Sequence, residues 1–220
     1  MSWILDNLDT ITGHLVSHLS LSLPAIAATL VLAIPLARLA VGVRPLRGLV
    51  VGASSLLYAV PSLALFVILP IVLGTGIRDR LNVIVALTLY GTALLVPATA
   101  DALDAVDRRV LDAATAQGMG TTRRFLAVEL PLAGPTILAG LRVVTVSTIS
   151  LTTVGAVLGV PSLGLLFTDG FQRGIMAEIL AGLVVTMALA LTLDGLVLLG
   201  GRLAMPWTRA DGTGSEVASR

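Results

Sequence analysis

The stretch LNVIVALTLYGTALLVPATADA, residues 81 to 102, carries no charged side chain before Asp101. An α-helix rises about 1.5 Å per residue, so about 20 such residues cross the ~30 Å hydrocarbon core of a bilayer. The apolar residues do not alternate as in a strand, and a helix satisfies its own backbone hydrogen bonds in lipid. This stretch therefore predicts a transmembrane helix.

Four other stretches have the same character: Leu19–Val43, Leu49–Leu73, Leu132–Gly159 and Ile175–Leu199. The chain as a whole is 56% hydrophobic and 12% charged, whereas a soluble domain has about a quarter of its residues charged. Most of the surface must then face something other than water. We expect an all-α fold, a polytopic membrane helical bundle of five transmembrane helices over residues 19–201.

The two ends of the chain are more polar than this predicted bundle. In residues 1–18, apolar side chains recur at helical spacing between polar ones, which predicts an interfacial segment. His14 and His18 lie four residues apart there; without a third ligand, a polar interfacial face is favoured over a metal pair. Residues 202–220 are predicted to form a cytoplasmic C-terminal tail, of which residues 210–220 are small and polar. The sequence holds no cysteine, which excludes disulfides and thiolate metal sites.

The arginines orient the predicted bundle. Nine fall between spans one and two, between spans three and four, or after span five: Arg38, Arg44, Arg47, Arg108, Arg109, Arg123, Arg124, Arg202 and Arg209. The alternate loops hold three, Arg78, Arg80 and Arg173. The positive-inside rule places the nine in the cytoplasm, with the N-terminus outside and the C-terminus inside. The formal net charge of +1 gives no reason to expect a nucleic-acid partner.

The connection between spans three and four, residues 104–131, predicts a helix–turn–helix. Asp104 and Arg108 are spaced as an i,i+4 pair on its first helix. Gly118 and Gly120 break that helix, and Thr121 or Thr122 would cap the second. Pro131 is suited to open span four, because its missing N–H costs nothing in a first turn. The small side chains around residue 113 would let another protein approach closely.

The residues of this connection stand in a recognisable register: Asp112-Ala113-Ala114, Gly118, Val128 and Leu130-Pro131. The pattern resembles the cytoplasmic loop of bacterial ABC importer permeases, with Asp in place of the usual Glu. The resemblance implies contact with a cytoplasmic ATPase through Asp112, Ala113, Ala114, Gly118, Met119, Gly120, Leu130 and Pro131. ATP and Mg would be bound by that ATPase, with no cofactor on this chain.

A narrower resemblance rests on the stretches 57–65, 117–120, 128–132 and 140–142. These are similar to permeases for glycine betaine, carnitine and choline. This likeness implies import of a quaternary ammonium osmoprotectant, with other small zwitterions or an amino acid as alternative cargoes. The implied partners are ATPase subunits, an extracytoplasmic solute-binding protein and a second permease copy within the plasma membrane.

Five residues are candidates for the substrate path: Tyr58, Pro61, Ser62, Tyr90 and Asp194. The two tyrosine rings could attract a quaternary ammonium, or they could simply pack helices. Asp194 is an intramembrane acid and so a functional candidate, although it could equally be hydrated or bonded to Thr192 or a neighbouring helix. A secondary transporter driven by an ion gradient is the alternative class; an enzyme is disfavoured because no catalytic constellation of residues is present.

Overall fold

The structure is a computed structural model that describes residues 2–207, apart from the side chains of Ser2 and Arg44. Within this part of the chain all regular structure is helical. The α-helices are α1 Ser2–Asp6, α2 Leu8–Gly42, α3 Arg44–Ala59, α4 Ser62–Leu73, α5 Arg80–Asp104, α6 Arg108–Ala116, α7 Thr121–Arg124, α8 Leu130–Thr152, α9 Gly164–Arg173 and α10 Met176–Ala204. A π-helical turn, Phe125–Glu129, joins α7 to α8, and a 3₁₀ turn, Thr153–Leu158, follows α8.

Four continuous helical stretches are long and apolar enough to cross a membrane: Leu8–Gly42, Arg80–Asp104, Thr121–Leu158 and Met176–Ala204. The bent pair α3 and α4 makes a fifth crossing if it is counted as one span. The expected all-α membrane bundle is thereby confirmed. Helix α5 is its central element, since 61% of its most apolar window is buried, against 17% for α10.

The stretch predicted as the second span, residues 49–73, is bent into two helices. Helices α3 and α4 meet at an angle of 105°. Val60, between them, has an extended backbone with ψ 129°, as expected for the residue before a proline, because Pro61 disfavours helical geometry there. Helix α4 has only 12 residues, too few to cross a bilayer alone.

The fourth crossing begins earlier than predicted, at Thr121, and ends at Leu158, one residue from the predicted end. Pro131 lies in the first turn of α8, as predicted, but the helical path already begins at Thr121 and reaches α8 through the π turn. In that turn the N–H of Leu130 donates to the carbonyl of Phe125, five residues back instead of four. The next residue, Pro131, has no N–H to donate. After this crossing comes α9, a ten-residue helix that was not predicted.

The N-terminal residues are part of the packed bundle. Helix α2 runs without interruption from Leu8, so no helix end marks the predicted boundary at residue 18. Ile11 packs in a buried cluster with Leu163, Leu166 and Ala181. His18 is fully buried, so its expected place on a polar interfacial face is wrong. Residues 208–220, most of the predicted tail, lie outside the described residues.

A glycine sets how closely the two central helices approach each other. A Cβ placed on Gly91 of α5 would lie 2.4 Å from the Thr29 hydroxyl oxygen of α2. That hydroxyl donates to the Thr88 carbonyl at 3.4 Å. Small residues at helix contacts are how membrane helices gain van der Waals contact, since lipid gives them no hydrophobic drive to associate. Gly91 therefore allows α2 and α5 to pack closely.

Candidate functional site

Helix α6 begins at a capped end, one short break after α5. The Asp107 carboxylate accepts from the backbone N–H of Arg109 at 2.9 Å and from its guanidinium. These hydrogen bonds hold the pKa of Asp107 below its usual value. The predicted Asp104–Arg108 pair is wrong. Helix α5 ends at Asp104 and α6 begins at Arg108, so the two residues do not share a helix. Asp104 instead pairs with Arg47 at 2.5 Å.

The turn after α6 depends on glycine as predicted. Helix α6 ends at Ala116, and Gly118 has φ +80°, a backbone region that side chains with a Cβ rarely adopt. Among the described residues nothing lies within 4 Å of a Cβ placed on Gly118. The expected threonine cap is wrong, because Gly120 occupies the cap position and Thr121 is already the first residue of α7.

The residues implicated by the resemblance divide into two groups. Asp112, Ala113, Gly118 and Gly120 are exposed on α6 and its turn. Ala114 is 5% exposed and faces the bundle, which follows from helical periodicity, since neighbouring residues cannot share one face. The half-buried Met119, Leu130 and Pro131 lie in the turn and at the start of α8. The exposed surface at this end of the bundle, hereafter the α6 end, is therefore made by the first group.

A buried ionic cluster, which the sequence did not reveal, lies beneath α6. Glu129, the last residue of the π turn, is 3% exposed. One of its carboxylate oxygens accepts from Arg38 of α2 and the other from Arg124 of α7, each at 2.9 Å. Buried charges are stable only when paired and hydrogen-bonded, and here both oxygens of the acid have a partner. The Arg38 guanidinium also lies over the Phe125 ring, 4.9 Å from its centroid.

Three of the five residues predicted for a substrate path line one cavity. Tyr58, Ser62 and Tyr90 border a space of about 450 Å³, together with Ser147 and Ser150 of α8. The two tyrosine rings meet edge to face, with centroids 6.3 Å apart. The Tyr90 hydroxyl donates to the carbonyl of Val60, the residue at the α3–α4 bend. Pro61 does not line this cavity; it forms the bend that shapes it.

Asp194 lies in a neighbouring cavity and is fully engaged by an arginine. Its two carboxylate oxygens accept from the Nε and Nη2 of Arg142 at 2.8 and 2.7 Å. The Thr192 hydroxyl instead bonds to the Ala188 carbonyl. This second cavity has about 430 Å³ and shares Ser147 with the tyrosine cavity. The pair joins α8 to α10 and carries no net charge.

Comparison with known proteins decides the family. The model of the binding-protein-dependent transport system inner membrane component matches residues 30–200, which include the whole segment from α5 to α8. The chain belongs to this family. It is thus an inner-membrane permease of the ABC importer type, and the expected class of protein is confirmed.

Individual relatives cover almost the whole permease. It is 32% identical over 198 residues to the osmoprotectant import permease protein OsmW of Salmonella typhimurium, covering 89% of this chain and 92% of that one. It is 28% identical over 210 residues to the choline transport system permease protein OpuBB of Bacillus subtilis, covering 94% and 95%. The fold matches a chain of the inward-facing MetNI methionine ABC transporter with a TM-score of 0.72 at 18% identity, covering 89% and 94%.

Proposed function

We propose that this permease carries a small osmoprotectant across the membrane and receives the energy for transport from a separate ATPase at the α6 end. The observation that carries the proposal is the exposed, small-residue surface of α6 and its glycine turn. Asp112 projects from that surface as an exposed acid able to accept hydrogen bonds from basic groups. Exposed glycine and alanine permit a close approach by a partner's groove.

The orientation we propose puts the α6 end in the cytoplasm. Nine arginines fall in the loops on that side and three in the alternate loops, and cytoplasmic excess of basic residues is the general rule for membrane proteins. The assignment counts α3 and α4 as one crossing. With that odd number of crossings, the N-terminus is outside and the C-terminus is inside.

The partners we propose are two ATPase subunits, a solute-binding protein outside and a second permease copy. Support for the second copy comes from the open cavities. Their walls include side chains that one chain leaves exposed, with Tyr58 53% and Val143 58% exposed. A second permease facing these walls would enclose a path and cover apolar surface, which is how obligate interfaces are built.

The cargo we propose is a quaternary ammonium compound such as glycine betaine, choline or carnitine. Two relatives carry the names of osmoprotectant and choline permeases. The tyrosine cavity is lined by two aromatic rings and by serine hydroxyls, and aromatic rings attract a quaternary ammonium without needing a counter-charge. Other small zwitterions and amino acids are the competing cargoes, and uptake measurements distinguish them.

The test is uptake by proteoliposomes that contain the permease with its ATPase and binding protein. We expect ATP enclosed on the ATPase side to drive accumulation of labelled glycine betaine, with competition by choline and carnitine. Collapse of ion gradients by an ionophore should leave the rate unchanged. Uptake that persists without the ATPase and stops with the ionophore would contradict the proposal and support a secondary transporter.

The tyrosine cavity has its own pair of variants in the same assay. Tyr58→Leu removes a π face from the cavity wall, whereas Tyr58→Phe keeps the ring. A cation–π contact is worth about 0.5–2 kcal/mol, so we expect a roughly 2- to 30-fold rise in the concentration for half-maximal uptake with Leu and little change with Phe. Equal behaviour of the two variants would remove Tyr58 from the path.

A further inference from the structure

The carboxylate of Glu129 holds together parts of the chain that are distant in sequence. Arg38, which donates to it, lies 91 residues away on α2. Arg124, its other donor, belongs to the short helix that follows the glycine turn. Each carboxylate oxygen of Glu129 accepts from a different arginine, and Glu129 immediately precedes α8. Displacement of either guanidinium therefore pulls on the start of α8.

The same cluster reaches α6 through one further hydrogen bond. While the Nε of Arg124 donates to Glu129, its Nη1 donates to the hydroxyl of Thr115 at 3.0 Å. The Thr115 hydroxyl in turn donates to the Leu111 carbonyl at 2.8 Å. A continuous polar connection therefore runs from the middle of α6, through Arg124 and Glu129, to Arg38 on α2.

Apolar packing gives α6 little other connection to the bundle. Ala114 is the one residue buried in this helix, and its small side chain fills little space. A cavity of about 420 Å³ lies between α2, the end of α5, α6, α7 and the π turn, with Arg38, Leu111, Arg124 and Glu129 in its walls. Close packing transmits displacement between helices, but a cavity cannot. The ionic cluster thus bridges a gap that side-chain packing leaves open.

We propose that Glu129 is a positioning residue that makes α6 and the adjoining end of α2 move as one body. A displacement that the ATPase imposes on α6 is then passed to α2, the longest helix of the bundle, and through its close contact with α5 to the tyrosine cavity. The proposal rests on the proposed function, because it needs an ATPase that moves α6.

The test measures uptake and ATP hydrolysis in the same proteoliposomes and takes their ratio. Glu129→Gln keeps the shape of the side chain, but its amide turns an N–H toward one of two arginine donors. Charge-assisted hydrogen bonds are the strong ones in proteins, so we expect uptake per ATP to fall roughly tenfold. ATP hydrolysis itself should continue, since the exposed surface of α6 is unaltered.

Two further variants separate coupling from folding. Thr115→Val removes the exposed link to α6 and leaves both arginine contacts of Glu129 in place, so we expect a smaller fall, about 2- to 5-fold, as for one hydrogen bond. Asp101→Asn removes another acid paired with an arginine, Arg47, at the same end of the bundle but without a link to α6. We expect it to keep the wild-type ratio.

The distance between α2 and α6 tests coupling directly, because in Glu129→Gln it would not depend on ATP if Glu129 only stabilised the fold. Spin labels on Leu39→Cys of α2 and Ala116→Cys of α6 report the separation of the two helices in the assembled transporter. We expect this separation to be the same with and without ATP in the wild type, and to change on ATP binding in Glu129→Gln.

The outcomes distinguish this inference from the proposed function. Absence of ATP-driven uptake by the wild type would overturn the proposed function. Wild-type uptake with an unchanged ratio in Glu129→Gln would overturn the inference alone, as would an ATP-dependent change in the wild-type separation. If Glu129→Gln does not accumulate in the membrane, Thr115→Val decides, and a wild-type ratio in that variant overturns the inference.

Discussion

Gly118→Leu is expected to abolish ATP-driven uptake while the permease still folds. A leucine at φ +80° is strained by roughly 1–2 kcal/mol, a cost confined to an exposed turn. Its Cβ would meet no described residue of this chain, because nothing lies within 4 Å of that position, and residue 118 is exposed. The bulk therefore projects outward, where we place the ATPase. Uptake and ATP hydrolysis by the reconstituted transporter are the measurements, and we expect losses beyond tenfold in both.

Two variants control for backbone strain. Gly118→Ala carries nearly the same strain with less bulk, and we expect it to keep much of the uptake. Gly74→Leu has a similar backbone, with φ +66° and open space around its Cβ position among the described residues, but it follows α4 at the other end of the bundle. It should couple normally. Full uptake by Gly118→Leu would show that the turn does not meet the ATPase.

Asp194→Leu is expected to lower the stability of the permease more than the double variant Arg142→Leu/Asp194→Leu. The single change leaves the Arg142 guanidinium within the apolar bundle without its two hydrogen bonds. The Arg142 and Asp194 side chains are 38% and 20% exposed, so the cost exceeds that of a surface pair and stays below that of a fully buried one.

Thermal unfolding of the purified permease measures this difference. We expect the single variant to unfold at a lower midpoint than the wild type. The double variant should recover at least half of the loss, because replacing both charges by apolar groups removes the unpaired arginine. Additive losses in the double variant would mean that Arg142 is stabilised by something other than Asp194.

The sequence predicted the crossings well because length and apolar character alone decide them, and it failed at Pro61 because tertiary contacts decide a bend. Pro24 and Pro35 lie within the continuous helix α2, and Pro97 lies within α5. At Pro61 the chain breaks by 105°. At the Pro61 bend, the Tyr90 hydroxyl donates a hydrogen bond to the Val60 carbonyl. In a continuous helix that carbonyl would accept a hydrogen bond from the helix itself. No local pattern contains that information.

The candidate site was predictable where its residues are neighbours in the chain. The glycine turn after α6 followed from Gly118 and its spacing, while the inward position of Ala114 could have been read from its i,i+3 relation to Leu111. The Glu129 cluster could not be found in this way, because Arg38 is 91 residues distant and the π turn that aims the carboxylate has no established sequence signal. A lone acid beside a Leu-Pro pair at the start of an apolar run was the one available indication.

Accessibility of a single cysteine at residue 117 tests the central claim most directly. The chain has no cysteine, and Gln117 is exposed beside the glycine turn, so Gln117→Cys gives one defined thiol. We predict that a membrane-impermeant maleimide labels it in inside-out vesicles, that bound ATPase protects it, and that intact cells leave it unlabelled. Labelling from outside intact cells would contradict the account, because α6 could then not meet a cytoplasmic ATPase.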